Sequence, residues 1–228
     1  MAKVYTATLI MRLAESGELD LDTPVADLLP EFSVADPDAT RAITTRLLLS
    51  HTSGLTCNFT YDSGRGDDCL ARYVEAARNV ALDCPPGTGL SYSSLGYNVL
   101  GRIIEVVTGK VWDEALRDLL LTPLGLTHTM ARTDASRRRR GGGRHPRPVQ
   151  GDRRLDAAAG GRLPRQVDGQ RGWLGAGWTL YDWDGVQGFG HDGASIGQYG
   201  YLRVVPSAGV AVVLLTNGGG SRELYAAL

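Results

Sequence analysis

The last third of the chain carries, at residues 177–217, the stretch GWTLYDWDGVQGFGHDGASIGQYGYLRVVPSAGVAVVLLTN. Apolar and β-branched side chains alternate here with polar residues or glycines, which is the period of a β-strand. Turn residues interrupt the alternation at 184–185 and 206–207. We therefore predict three or four antiparallel strands, then a helix that begins near Ser221. Because a sheet of this size must cover one face, we predict an α+β fold in which helices flank an antiparallel sheet.

The first 131 residues show the period of helices instead. One apolar stripe predicts a helix over 4–16 that ends at Gly17, and another predicts a helix from Leu95 to Val107 that ends at Gly109. Shorter helices are predicted within 19–32, 69–82 and 112–121, and a helix or extended segment at 43–49. Since the chain begins inside an apolar helix, we expect Met1 to be an internal point of a longer fold.

Residues 132–171 differ in composition from the rest of the chain. They hold 12 Arg against 4 Asp, a net charge of +8, whereas the other 188 residues carry −9. The segment has too few apolar side chains to bury a core. A flexible loop or a frameshifted stretch explains it better than a nucleic-acid-binding patch does. We predict one domain, 1–228, with a mainly helical part (1–131), this insert (132–171), and a part with β-strands and a C-terminal helix (172–228).

The overall composition indicates a folded chain without a charged macromolecular partner. Its 228 residues, 43% hydrophobic and 21% charged, can bury a core without disulfides or a structural metal. Cys57, Cys69 and Cys84 match no zinc spacing and are predicted to be mostly structural, although one bridge is possible. A net charge of −1 predicts neither nucleic acid nor an acidic membrane as a partner. No apolar run is long enough to span a membrane.

Five motif segments follow one another along the chain. They are LAESGELDLDTPVADLLP at 13–30, LLSHTSGL at 48–55, PGTGLSYSSLGYNVLGRIIEVVTG at 86–109, PLGLTHTM at 123–130 and FGHDGASIGQYGYLRVVPSAGVAVVLLTN at 189–217. In this order they resemble the penicillin-recognising serine hydrolases, the family of class C β-lactamases, D-alanyl-D-alanine carboxypeptidases and related esterases. The resemblance covers 2–131 and 173–227. It implies a β-lactamase/transpeptidase-like fold, N-terminally truncated, whose absent first strands leave an unpaired sheet edge.

The resemblance implies acyl transfer through a covalent serine ester, without a metal or cofactor. A hydroxyl is a weak nucleophile, so the family places a lysine three residues after its serine, on the same face of a helix. Lys3 corresponds to that lysine. The serine would then be the residue immediately before Met1. We expect Lys3 to be the general base of an intact ancestor and the chain as written to be inactive.

A second family motif, Tyr-x-Asn, corresponds to residues 92–94. The resemblance implies that Tyr92 relays a proton to the leaving group and that Ser94 contacts the substrate. Ser94 stands where the family has asparagine. Because a hydroxyl offers one donor and an amide group two, we expect weaker recognition of amide substrates and a lean towards esters.

The third motif, Lys-Thr-Gly or His-x-Gly on a strand, corresponds to residues 191–193. The resemblance implies that His191 donates to the tyrosine oxygen or to a substrate carboxylate. Gly193 is expected to allow close backbone approach, and Ala194 to supply the second N–H of the oxyanion hole.

Two other polar residues offer rival chemistry. Ser53 lies in an exposed-looking His-Thr-Ser-Gly corner, but no lysine follows three residues on and no Gly-x-Ser-x-Gly surrounds it. His51 resembles a triad base, yet hydrogen bonds that hold a turn under the active-site helix explain it better.

We interpret the sequence as a serine hydrolase of the β-lactamase, carboxypeptidase or esterase type. Its expected substrate is a small molecule or peptide, such as a β-lactam, a D-alanine peptide or an ester. The alternative is a non-catalytic peptidoglycan- or peptide-binding module, which would bind ligand without turnover. A nucleic-acid binder would instead lose affinity steeply with salt. The localisation is not indicated, because any export signal would lie upstream of this sequence.

Overall fold

The computed structural model describes residues 2–129, 164–167, 170–195, 198–217 and 224–225. The helices are α1 (Ala2–Glu15), α2 (Val25–Leu28), α3 (Pro37–Ala42), α4 (Thr45–Leu49), α5 (Cys69–Ala76), α6 (Ser94–Thr108) and α7 (Trp112–Leu116), which continues as a π-helical turn, Arg117–Leu121. The strands are β1 (Pro164–Val167), β2 (Gln170–Leu174), β3 (Thr179–Trp183), β4 (Val186–Ser195), β5 (Gln198–Val205) and β6 (Val210–Thr216). They form one antiparallel sheet in sequence order. The predicted α+β class is confirmed.

Helix α1 has the predicted position and ends as the sequence indicates. Gly17 adopts φ 76°, and the N–H groups of Glu18 and Leu19 both donate to the carbonyl of Leu13. This satisfies the last turn of the helix in the way that glycine-terminated helices usually do. Its buried face is apolar, with Leu9 and Ile10 fully enclosed. The helix therefore brings its first turn, with Lys3, onto the core.

Helix α6 lies at the centre of the core. Ser93 caps it, because its Oγ accepts from the N–H of Gly96 at 3.1 Å. Gly109 ends it with φ 66°, as predicted. The fully buried side chains of α6 are Leu95, Val99, Leu100, Ile103 and Ile104. They pack with α1, α4 and α5 into one apolar cluster. The cap therefore fixes the N-terminal end of the most buried helix.

The structure shortens one predicted helix and contains another that was not predicted. Helix α5 ends at Ala76 rather than Leu82, because Leu82 forms an isolated bridge with Leu55. Helix α3 was not expected, although Asp36 accepts from two backbone N–H groups and Pro37 opens the helix. The ambiguous segment 43–49 contains a helix, α4.

Three or four strands were expected over 177–217, and the structure has four there, β3 to β6. A two-residue turn with Asp184 at φ 53° and Gly185 at φ 93° joins β3 to β4. A 3₁₀ turn, Pro206–Ala208, joins β5 to β6. Strands β1 and β2 are a correction, since the segment ending at residue 171 was expected to lack periodic structure. Strand pairing uses backbone groups, so it does not require an alternating side-chain pattern.

Other expectations fall partly outside the described residues. Residues 130–163 are not described, so the loop, frameshift and nucleic-acid interpretations of the insert stay predictions. The helix expected from Ser221 also falls outside the described residues, apart from residues 224–225. The three cysteines are free thiols. In the parts of the chain that are described, no helix is long and apolar enough to cross a membrane. Strand β6 is one of the two outer strands of the described sheet, and its Leu215 is 73% exposed.

A close approach of backbones joins the sheet to the helices. The N–H of Gly177 donates to the carbonyl of Leu49 at 3.2 Å, and the Oη of Tyr97 donates to the same oxygen at 3.0 Å. Gly177 adopts φ 76°, and a Cβ there would lie 2.3 Å from the Cβ of Ala7. Only glycine fits this contact between α1 and the segment that leads into β3.

We predict that Gly177→Ala lowers the free energy of unfolding by about 3 kcal/mol or more, because strain of the left-handed backbone adds to overpacking. Gly109→Ala is the matched control. It has a similar φ of 66° but no neighbouring atom within 4 Å, so only the strain, about 1 kcal/mol, is expected. Urea unfolding followed by circular dichroism measures both. Equal losses would show that the sheet does not dock at this point.

Candidate active site

Lys3 lies in the first turn of α1 and faces the start of α6. Its Nζ donates to the Oγ of Ser94 at 3.2 Å. The same Nζ lies 4.9 Å from the centre of the Tyr92 ring and 5.7 Å from that of Tyr97. Burial lowers the pKa of the Lys3 amine below its usual 10.5. A lysine with a lowered pKa is more often neutral near pH 7, which a general base requires.

Tyr92 lies between the lysine and the His-Thr-Ser-Gly corner. The residue is 44% exposed, and the centre of the His51 ring lies 4.3 Å from that of the Tyr92 ring. Partial burial raises the pKa of the phenol above its usual 10. Tyr92 therefore holds its proton at neutral pH and can donate it beside the amine of Lys3.

Three serines surround Tyr92, and only one of them faces the lysine. The Oγ of Ser91 donates to the carbonyl of Leu55 at 2.9 Å, and Ser93 caps α6. Ser94, the first residue of α6, is exposed and contacts Lys3. The expected substrate-binding serine therefore has a contact that sequence spacing did not indicate.

His51 packs against the Tyr92 ring and holds the backbone next to it. Its backbone adopts φ 56°, its side chain is 2% exposed, and its Nδ1 accepts from the N–H of Ser93 at 3.0 Å. Burial, followed by the nearby charge of Lys3, lowers the pKa of His51 to about 3. His51 is therefore neutral at physiological pH and holds the loop that carries Tyr92. This agrees with the prediction that its hydrogen bonds hold a turn rather than serve as a triad base. Ser53 is 1% exposed, which removes it as a nucleophile.

His191 lies on β4, with 7% of its surface exposed. Burial lowers its pKa to about 4, and the charge of Lys3 acts in the same direction. His191 also lowers the pKa of His51 by its charge. The structure thus brings Lys3, Tyr92 and His191 into one cluster together with His51. It tests the placement of these residues but not their catalytic roles.

Gly193 and Ala194 continue β4 beyond His191. Gly193 pairs with Gly200 and Ala194 with Tyr199 on β5. Ala194 is exposed, so its position near the end of the strand is open to a ligand. The oxyanion role of its N–H stays a prediction.

The other face of β4 carries an ion pair that was not anticipated. Arg203 on β5 donates to Asp192 at 2.5 Å from Nη1 and 3.1 Å from Nη2. Its guanidinium also lies 4.4 Å from the centre of the Tyr181 ring on β3. A Cβ on Gly190 would come within 3.1 Å of that guanidinium. Arg203 therefore lies across the face of β4 opposite to His191 and links β3, β4 and β5.

A groove of about 460 Å³ begins at Lys3 and Ser94 and follows one face of α6. Ser94 and Glu105 mark its length, about 16 Å at the rise of an α-helix. The other lining residues are Ala2, Thr6, Gly66, Asp67, Cys69, Leu70, Tyr97, Asn98, Gly101, Val111, Trp112 and Asp113. Its middle is largely apolar, and carboxylates lie towards Glu105. Within the described ranges, the groove included, no three His, Cys, Asp or Glu side chains are grouped to hold a metal.

A family model described as Beta-lactamase matches residues 1–164 of the chain. Penicillin-binding protein 4 of Amycolatopsis lactamdurans is 46% identical over a 277-residue alignment, which covers 99% of this chain and 72% of that protein. The two matches span the segments that carry Lys3, Tyr92 and the corner around His51.

Solved structures show the same architecture. SurE with D-Leu has a TM-score of 0.71 and 30% identity, covering 99% of this chain and 60% of its own. A beta-lactamase/D-alanine carboxypeptidase from Yersinia pestis, complexed with citrate, has a TM-score of 0.71 and 19% identity, covering 95% and 76%. This chain therefore spans less than two thirds of the SurE chain and about three quarters of the Yersinia chain.

We predict that acid destabilises the fold through its buried histidines. The folded pKa values of His51 and His191, about 3 and 4, lie below the unfolded value of 6.5, so the unfolded chain binds more protons. Stability should be unaffected by them above pH 6.5 and fall from there to about pH 4 for His191 and about pH 3 for His51, at about 1.4 kcal/mol for each pKa unit of difference. Urea unfolding at several pH values measures this loss.

His51→Asn isolates the effect. Asparagine tolerates the left-handed backbone and can accept from the N–H of Ser93, but it does not titrate. The variant should be less stable at pH 7 yet lose less on acidification. An identical pH slope in both proteins would contradict the assignment.

Proposed function

We infer the function from one premise, that this chain belongs to the β-lactamase family. The resemblance and the β-lactamase/transpeptidase-like fold predicted from its motifs are confirmed. We propose that its site serves acyl transfer from a β-lactam, a D-residue peptide or an ester to a serine. The observation that carries the proposal is the amine of Lys3, which has a lowered pKa and lies over the ring of Tyr92 in a cluster with His191.

In the proposed reaction, Lys3 is the base for a serine three residues before it. The serine Oγ attacks the substrate carbonyl while its proton passes to the neutral amine of Lys3. The bond to the leaving group then breaks, and water later hydrolyses the ester. Because that serine would stand immediately before Met1, we propose that the 228-residue chain alone does not follow this route.

Tyr92 and β4 complete the proposed machinery. The phenol keeps its proton at neutral pH and lies beside Lys3, so it can relay a proton to the leaving group. The neutral ring of His191 can donate to the tyrosine oxygen or to a substrate carboxylate. The N–H of Ala194 is proposed for the oxyanion, where one donor is worth about 3 kcal/mol of transition-state stabilisation.

The proposed substrate carries a D-residue and an elongated acyl part. SurE was solved with D-Leu, and a D-stereospecific amidohydrolase from Streptomyces shares the fold. The groove along α6 starts at the amine and offers room for the acyl part. Ser94 is engaged by Lys3 and has no second donor, which favours esters over amides.

Two matched polypeptides test the proposal. A site-specific protease can leave either serine or glycine directly before Met1. We expect a fluorescent penicillin to form an adduct on the added serine, and intact mass with peptide mapping to locate it. Lys3→Ala in the serine form should slow this acylation about 100-fold or more, because it removes the general base.

Far-UV circular dichroism controls for folding of all three polypeptides. If the added serine stays unmodified in a folded protein, the acyl-transfer proposal fails. Tight binding of the penicillin by both forms without an adduct would instead support the alternative, a non-catalytic binding module.

A further inference from the structure

A serine–lysine pair already exists within the described residues. The Nζ of Lys3 and the Oγ of Ser94 are 3.2 Å apart, although the two residues are 91 positions apart in sequence. Both side chains line the mouth of the groove along α6. From this geometry we propose that Ser94 is itself a nucleophile and that the pair hydrolyses carboxylic esters whose acyl chain lies in the groove.

Lys3 has the properties of a base for this serine. Its amine is within hydrogen-bond reach of the hydroxyl, the first requirement for proton transfer. Burial beside the Tyr92 and Tyr97 rings lowers its pKa and increases its neutral fraction. Desolvation by burial is the physical cause of this lowered pKa.

The start of α6 can stabilise the oxyanion. The first N–H groups of a helix have no partner inside it. Two at this end are used, since the N–H of Ser93 donates to His51 and that of Gly96 to the Oγ of Ser93. The N–H groups of Ser94 and Leu95 come between these two. A nucleophile at a helix start with the next residue's N–H as oxyanion donor is the arrangement of the α/β-hydrolases.

The groove determines the substrate class. Leu70, Gly101 and Trp112 make its middle apolar, and a Cβ on Gly101 would lie 3.1 Å from Leu70. Glu105, at the end away from the amine, is buried and paired with Arg102 at 3.2 Å and with the N–H of Trp112 at 3.1 Å, so its charge is compensated. The groove therefore fits an uncharged, apolar acyl chain.

The proposed step balances without a further reactant besides water. The Oγ of Ser94 bonds to the acyl carbon, its proton goes to Nζ of Lys3, and the bond from acyl carbon to alkoxide oxygen breaks. The protonated Lys3 then gives this proton to the departing alkoxide, which leaves as the alcohol. Water attacks the acyl-serine, gives a proton to Lys3, and the proton returns to Ser94 as the acid leaves.

The experiment uses the 228-residue chain with p-nitrophenyl butyrate as the probe. We expect p-nitrophenol release and an acyl adduct that maps to Ser94. Ser94→Ala should reduce release to the level of buffer and abolish the adduct. Ser16→Ala, an exposed serine at the other end of α1 that pairs with Glu18, is the control and should retain full activity.

Lys3→Arg distinguishes a role of Lys3 as general base from a role of its positive charge, because arginine keeps the charge but does not accept a proton. It should lower the rate about 100-fold or more. The rate in the unchanged chain should rise with pH to a midpoint below 10.5. Unchanged release in Ser94→Ala, unchanged release in Lys3→Arg, or an adduct on another residue would overturn the inference.

This inference shares Lys3 with the proposed function but not the nucleophile, so the two fail separately. An adduct on the serine added before Met1, with Ser94 never modified, supports the proposed function and overturns the inference. An adduct on Ser94 only, with the added serine unmodified, does the reverse.

Discussion

The carbonyl oxygen of Leu49 joins the two parts of this molecule. It accepts from Tyr97 in α6 and from Gly177, which leads into β3. Leaving a buried polar group unpaired costs about 1–3 kcal/mol, so one oxygen with two donors is a strong constraint on how these segments meet. Because α6 begins beside Lys3 and the sheet carries His191, the same contact sets the distance between the groups of the site.

The site depends on basic groups that burial keeps neutral. His51 and His191 both have a pKa well below that of a free imidazole, and the pKa of Lys3 is also lowered. Burial is the main cause of each shift, and the charge of Lys3 lowers the pKa of both histidines further. The arrangement costs stability in acid but supplies a neutral amine beside a protonated phenol. Perturbed groups gathered in one cleft are typical of catalytic sites.

The sequence was sufficient where local signals decide the structure. Gly17 and Gly109 end their helices as expected, and the turn after Trp183 separates β3 from β4. Contacts between distant segments were harder to foresee. The bridge between Leu55 and Leu82 shortens α5, and β1 and β2 pair through backbone groups despite their unpatterned sequence. The motifs indicated Lys3, Tyr92 and His191 as site residues, and the structure places them together.

The contact between Lys3 and Ser94 could not be predicted in the same way. It depends on how the first turns of α1 and α6 pack, and the spacing of the motifs carries no information on that packing. The groove likewise requires α1, α5, α6 and α7 to be in place. The brace from Arg203 to Asp192 follows from strand register, since the residues opposite each other on β4 and β5 decide which side chains share a face.

The central claim is that the amine of Lys3 is buried beside Tyr92 and Ser94. The chain has two lysines, so ¹³C-methylation gives one NMR signal from each lysine and one from the N-terminal amine, with Lys110, paired with Asp118 at 2.9 Å, as the comparison. A pH titration should give Lys3 a pKa below 10.5 that rises towards this value in Tyr92→Ala, because the smaller side chain admits water. A Lys3 signal that titrates at the ordinary value and does not respond to Tyr92→Ala would contradict the account.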